Sequence, residues 1–184
     1  MKRIKKFLQD LRFLFLLPFI DTHNRLINMD VDRWKNVLHL KGDHRQLVKT
    51  LLSDYKEFRN LYVLRNADRP FFRSLVKLLY RPLDSLYITT SAIGGGLFIQ
   101  HGFSTYIAAQ SIGENCWINQ QVSIGYKDDT DPPIIGNNVT ISCGAKVLGP
   151  ITIGDNAIIG ANAVVVKNVE PGAVMGGVPA HRIK

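Results

Sequence analysis

The sequence predicts a mainly β fold: a parallel β-helix of hexapeptide repeats over residues 89–184, preceded by a smaller, basic α-helical region over residues 1–88. Three observations carry this reading. From Ile93 an aliphatic residue recurs every six positions; glycine directly follows many of these aliphatics; and before Pro82 the apolar spacing is three to four residues instead.

The chain opens "MKRIKKFLQDLRFLFLLPFI", basic residues followed by an apolar run that Asp10 and Arg12 interrupt and Pro18 punctuates. The uninterrupted stretch Phe13–Leu17 is far shorter than the roughly 20 apolar residues of a spanning helix. No small-residue cleavage site follows, only "DTHNR", which argues against a secretory signal. Two readings remain open: a basic amphipathic segment in peripheral contact with an inner-leaflet membrane surface, or an ordinary helix packing under the domain.

From Asp43 the pattern is helical, with Leu47, Leu51, Tyr55, Phe58 and Tyr62 at three- and four-residue steps. Asp43 and Gln46 have the form of a capping box, and Pro70 marks a stop. A second apolar segment, "FFRSLVKLLYRP", ends at Pro82.

The repeat begins at Ile93 and Ile99, continues after one extra residue at Ile112, Ile118 and Ile124, and runs on through Ile135, Ile141, Val147, Ile153, Ile159 and Val165. A second apolar residue, often small, follows four places later, as in Cys116, Val122, Val139, Ala145, Ala157 and Ala163. Each hexad makes one short strand and one corner, so three hexads close a triangular coil that stacks its aliphatics in columns. Cys116 belongs inside the prism, whereas Cys143, two places after Ile141, points outward. Pro171 and Pro179 stand where the coil must end.

Charge is divided between the halves. Residues 1–90 carry 18 Lys/Arg against 9 Asp/Glu, and residues 91–184 carry 5 against 6. The basic half suits an anionic membrane surface or an acidic substrate; with no Cys/His finger or RNA-binding aromatic motif, nucleic acid is the weakest partner. Only two cysteines occur in 184 residues, so a reducing, cytoplasmic compartment is expected and a disulfide framework is not.

"GAKVLGPITIGDNAIIGANAVVVKNV", "PGAVMGGVPAHRIK" and the pair His101-Gly102 resemble the hexapeptide-repeat acetyltransferases, most closely their serine acetyltransferase-like branch. "EFRNLYVLR" and "QHGFSTYIAA" look like the capsule and exopolysaccharide O-acetyltransferases within it. The resemblance implies a left-handed coil, acetyl-CoA as donor and a homotrimer with sites between neighbouring prisms. It also implies that His101 is the general base, acting by direct attack of a hydroxyl on the thioester, without an acyl-enzyme and without a metal. On the donor side it points to Tyr126, Cys143, Gly144 and Ala161 for the pantetheine arm and to Lys167 and Arg182 for the phosphates.

The acceptor side departs from the family pattern. Serine acetyltransferases carry an aspartate before the histidine and another fifteen residues upstream; here Gln100 and Leu86 stand there, with Asp84 two residues away. In the following loop Thr130-Asp131-Pro132-Pro133 replaces their Asp-Arg-His-Pro. A hydroxyl of a sugar or polysaccharide precursor is therefore the expected acceptor, with serine O-acetylation as the alternative and a non-catalytic solenoid scaffold as the reading from another class. A trimeric hexapeptide carbonic anhydrase needs three histidines per metal, and the coil offers His101 and the near-terminal His181.

Overall fold

The computed structural model describes residues 2–129 and 131–184, so Met1 of the N-terminal segment and Thr130 of the acceptor loop lie outside the described residues. Five α-helices come first: α1 (Lys2–Leu16), α2 (Arg25–Val37), α3 (His44–Asp54), α4 (Lys56–Arg65) and α5 (Pro70–Leu79). The capping box forms as expected, the Asp43 carboxylate accepting from the Gln46 N–H while Gln46 accepts from the Asp43 N–H. The run from Leu47 to Tyr62 is two helices rather than one, broken at Tyr55, whose extended backbone ends α3 and starts α4. The apolar spacing continues across the break because both helices face one core, where Leu47, Leu51, Phe58 and Tyr62 are all buried.

The coil follows, and its strands stack on three faces. The first face holds β1 (Leu86–Ile88), β3 (Thr105–Ile107), β6 (Ser123–Gly125), β9 (Lys146–Leu148) and β12 (Val164–Val165), all parallel. The second holds β4 (Ser111–Ile112), β7 (Ile134–Ile135) and β10 (Thr152–Ile153), extended by bridges from Ile93 and Val169. On the third, β2 (Phe98–Ile99), β5 (Trp117–Ile118), β8 (Thr140–Ile141), β11 (Ile158–Ile159) and β13 (Val174–Gly176) run parallel, and β14 (His181–Arg182) adds antiparallel to β13.

Three columns of side chains fill the prism: Ile88-Ile107-Ile124-Val147-Val165, Ile93-Ile112-Ile135-Ile153-Val169 and Ile99-Ile118-Ile141-Ile159-Met175. Most members are buried, each stabilising the coil by about 1.5–3 kcal/mol on transfer from water. Cys116, Val122, Val139, Ala145, Ala157 and Ala163 fill the space between columns. At Gly94, Gly113 and Gly154 an added Cβ would lie 2.5–2.7 Å from backbone atoms of the next coil, so these glycines permit a tight stack at one corner.

The irregularity in the repeat resolves into a bulge. A strict six-residue count from Ile99 falls on Thr105, yet Ile107 completes the first column, because the chain spends additional residues rounding the corner at His101. Beyond Ile124 a longer excursion carries Tyr126–Asp129 and Asp131 out of the coil before Ile134 rejoins it.

Helices and coil are joined by a buried polar knot. Asp30 accepts from the Gly96 and Leu97 N–H groups and from Arg65, whose guanidinium also donates to the Ile93 and Gly94 carbonyls. Trp34 donates its indole N–H to the Leu97 carbonyl and packs with tilted rings against Phe98, which in turn meets Trp117 with ring centroids 4.8 Å apart.

Candidate active site

His101 follows β2 at the corner between the third and first faces, with a left-handed backbone at φ 63° that places its side chain in solvent. Such a φ is uncommon away from glycine and asparagine. The next residue, Gly102, is buried at φ 42°, and a Cβ there would lie 2.8 Å from the Glu57 Cγ and 3.2 Å from side-chain atoms of Ile99 and Leu86. The His-Gly pair thus has a local cause: only glycine lets the coil pass this closely under α4.

That close approach brings helical residues to the histidine. A cavity of about 290 Å³ is lined by Trp34, Tyr55, Glu57, Gln100, His101 and Trp117, with Val37, Leu38, Phe98 and Ile99 as its apolar floor. Among the described residues, Glu57 supplies its one carboxylate. Gln100 is already held, its side-chain oxygen accepting from the Trp117 indole N–H at 3.2 Å. Asp84 faces solvent and is paired with Arg81 at 2.6 Å, lining a separate cavity with Tyr87, Ser104, Thr105 and Tyr106. Leu86 is buried in the first column's strand.

Four of the residues expected from the sequence share one edge of the prism. Cys143 and Gly144 round the same corner two turns on from His101, and Ala161 rounds it one turn further. The Asn162 N–H donates to the Cys143 carbonyl, and the Gly144 N–H to the Gln120 carbonyl on the intervening turn. Strand spacing of about 4.8 Å per turn puts Cys143 roughly 10 Å along this edge from His101. Cys143 is half-buried and Ala161 exposed. Gly144 has φ 73°, where a side chain is strained, and a Cβ there would meet the Asn162 Oδ1.

The other expected contacts lie elsewhere on the same chain. Tyr126, exposed, begins the excursion after β6, and Lys167, exposed, follows β12; both occupy the corner between the first and second faces. Arg182 is exposed in β14, its Nε donating to the Lys184 carbonyl. Within one chain the structure therefore does not bring Tyr126 and Lys167 to the His101 edge, whereas Arg182 lies on the third face, two strands beyond the β11 that precedes Ala161. Cys116 is buried, and burial pushes its thiol up to about 11.

Sequence reasoning missed Glu57, Trp34, Tyr55 and Trp117 as cavity residues. Trp34 lies in the basic half, and Glu57 precedes Phe58 in a stretch whose apolar spacing alone is informative. Their arrival depends on how α2 and α4 pack under the first coil.

Parallel strands stacked on three faces, with repeat aliphatics inside and bare corners outside, define a hexapeptide-repeat β-helix protein. The bacterial transferase hexapeptide (six repeats) model matches residues 132–167. The chain is 37% identical over 119 residues to the serine acetyltransferase of Synechococcus elongatus, covering 62% of this chain and 49% of that protein. It is 44% identical over 96 residues to that of Staphylococcus xylosus, covering 50% and 44%. Among solved structures, the Neisseria gonorrhoeae serine acetyltransferase in complex with serine superposes with a TM-score of 0.67 at 26% identity, over 89% of this chain and 70% of that one. The Brucella abortus serine acetyltransferase in complex with coenzyme A gives 0.65 at 23% identity, over 86% and 66%, a likeness of fold alone. The repeat region thus matches the hexapeptide-repeat transferase model, and the relatives and solved structures the chain resembles are serine acetyltransferases. It spans about half the length of the curated relatives it matches.

Proposed function

We propose that the protein is an acetyl-CoA-dependent O-acetyltransferase with His101 as general base. The carrying observation is that His101 shares a prism edge with Cys143, Gly144 and Ala161, whose small side chains leave backbone open to a narrow, extended donor. The imidazole takes the proton of an acceptor hydroxyl as its oxygen bonds to the acetyl carbon. The carbon–sulfur bond breaks, and the proton passes to the departing thiolate. No acyl-enzyme and no metal enter this scheme.

Tyr126 and Lys167 join the donor site only across a boundary between copies, because they lie away from the His101 edge of their own chain. A homotrimer with three interfacial grooves accommodates both sets, Lys167 and Arg182 meeting the donor phosphates. The compartment is the cytoplasm, with the basic N-terminal helices free to meet an inner-leaflet surface.

For the acceptor, the names of the matched relatives favour L-serine over the sugar hydroxyl that the sequence leads one to expect, and they lend no support to a role in polysaccharide biosynthesis. A sugar acceptor stays as a second reading on one specific observation. The positions of the two family aspartates hold a buried Leu86 and a Gln100 already bonded to Trp117, leaving no carboxylate there for an amino group. Thiol release from acetyl-CoA, measured with L-serine and with a panel of mono- and oligosaccharides, separates the two. Turnover on L-serine alone establishes the first reading, and turnover on a glycan alone the second. Failure with every acceptor rejects acetyl transfer and leaves the scaffold.

A further inference from the structure

Helix α1 is apolar on two opposite sides, and the fold uses one of them. Phe13 and Leu16 are buried against the helical core. Phe7, Leu11, Leu14 and Phe15, at steps of four, three and one along the opposite side, are 64%, 41%, 57% and 60% exposed. The stripe does not end with the helix. Phe19 carries it across to α5, its ring 6.1 Å from that of Phe71, and Phe71 and Leu78 stand 71% and 80% exposed two turns apart on that helix. Six large apolar side chains open to water on two adjoining helices exceed the scattered exposure of an ordinary surface.

The two helices are rich in basic residues. The α1 sequence holds five Lys/Arg against one acidic residue, and α5 holds two against none. Arg12 is exposed beside Leu11. Arg73 and Lys77 of α5 lie on its other side, lining an open groove of about 690 Å³ against α4 and β1. No helix among the described residues is long and apolar enough to cross a membrane.

We propose that the α1–α5 face docks on an anionic lipid bilayer, with Phe7, Leu11, Leu14, Phe15 and Phe71 inserted among the acyl chains and Arg12 at the headgroups. Charge selects the occupant. Apolar insertion from cationic helices matches an anionic lipid surface, whereas pairing with a second copy through this face sets the same basic helices against each other. Docking of this kind deepens the inner-leaflet placement proposed above and rests on that reading. It is measured without turnover, so its failure leaves acetyl transfer standing.

The full chain is centrifuged with vesicles of phosphatidylcholine alone and of phosphatidylcholine with about one third phosphatidylglycerol. Binding to the anionic vesicles should exceed that to the neutral ones by about tenfold or more and weaken as salt rises. The exposed double variant Leu14→Glu/Phe15→Glu should lose about tenfold or more of that binding while its melting temperature stays at the wild-type value. A milder variant, Leu14→Ser/Phe15→Ser, covers the case where the charged one misfolds. Equal binding of wild type and a folded variant, or no preference for anionic vesicles, overturns the proposal. So does a fall in the solution mass of the vesicle-free protein on substitution, which would show that the stripe joins copies of this chain.

Discussion

Asp30 and Arg65, 35 residues apart in sequence, form a doubly hydrogen-bonded ion pair whose side chains are 2% and 4% exposed. Burial pushes the Asp30 carboxyl above its ordinary range, and Arg65 and the Gly96 and Leu97 N–H groups pull it back down. Removing one partner leaves the other buried without compensation, at a cost of about 3–5 kcal/mol. Arg65→Ala should therefore lower the stability measured by urea unfolding by about that amount; a loss below about 1 kcal/mol would show that water replaces the guanidinium.

A second expectation concerns pH. Cys116 titrates at about 11 in the folded chain, against 9.0 ordinarily, so the folded protein holds this proton where the unfolded chain has released it. Its contribution is whole below about pH 9 and is lost as pH rises to about 11, a fall of roughly 2–3 kcal/mol. Unfolding curves of wild type and Cys116→Ala across this window should converge as pH rises. Parallel curves would mean that the thiol is solvated.

The two cysteines should also differ in reactivity. Alkylation of the native protein should modify Cys143 and spare Cys116 until denaturant is added. Coenzyme A should slow the Cys143 reaction by about tenfold at saturation, since both compete for the same corner. Undiminished labelling would place the donor elsewhere.

His101→Ala should lower turnover by roughly 10²–10⁴-fold. Because the side chain is exposed, the melting temperature and coenzyme A affinity should hold. Loss of activity together with unfolding would instead mark a packing role.

Glu57 offers the cavity beside His101 its carboxylate. If the acceptor enters there, Glu57→Gln should raise the acceptor KM about tenfold, the loss of one charge-assisted hydrogen bond, with the donor KM unchanged. An unaltered acceptor KM would exclude it from the acceptor site.

The coil is legible in the sequence because its period is rigid: each repeat aliphatic from Ile112 to Val165 sits in a column. Ile107 is not, since the bulge at His101 displaces it from the six-residue count. The helical half shows its apolar spacing and its cap at Asp43, yet not the break at Tyr55, which no glycine or proline announces. Donor-edge positions are readable because they recur with the coil. The cavity at His101 is not, since Trp34 and Glu57 reach it only through contacts between distant segments.

A parallel solenoid is a template for its own continuation, because its first and last coils each present unpaired backbone groups. Here both ends are occupied by the same molecule. At one end, side chains from α2 and α4 take up backbone groups of the first turn from Leu83 to Leu97; at the other, β14 lies back antiparallel on β13. The helical half therefore works as a stopper as well as a platform. A chain relieved of it would expose a sticky β edge and tend toward end-to-end fibres instead of discrete particles.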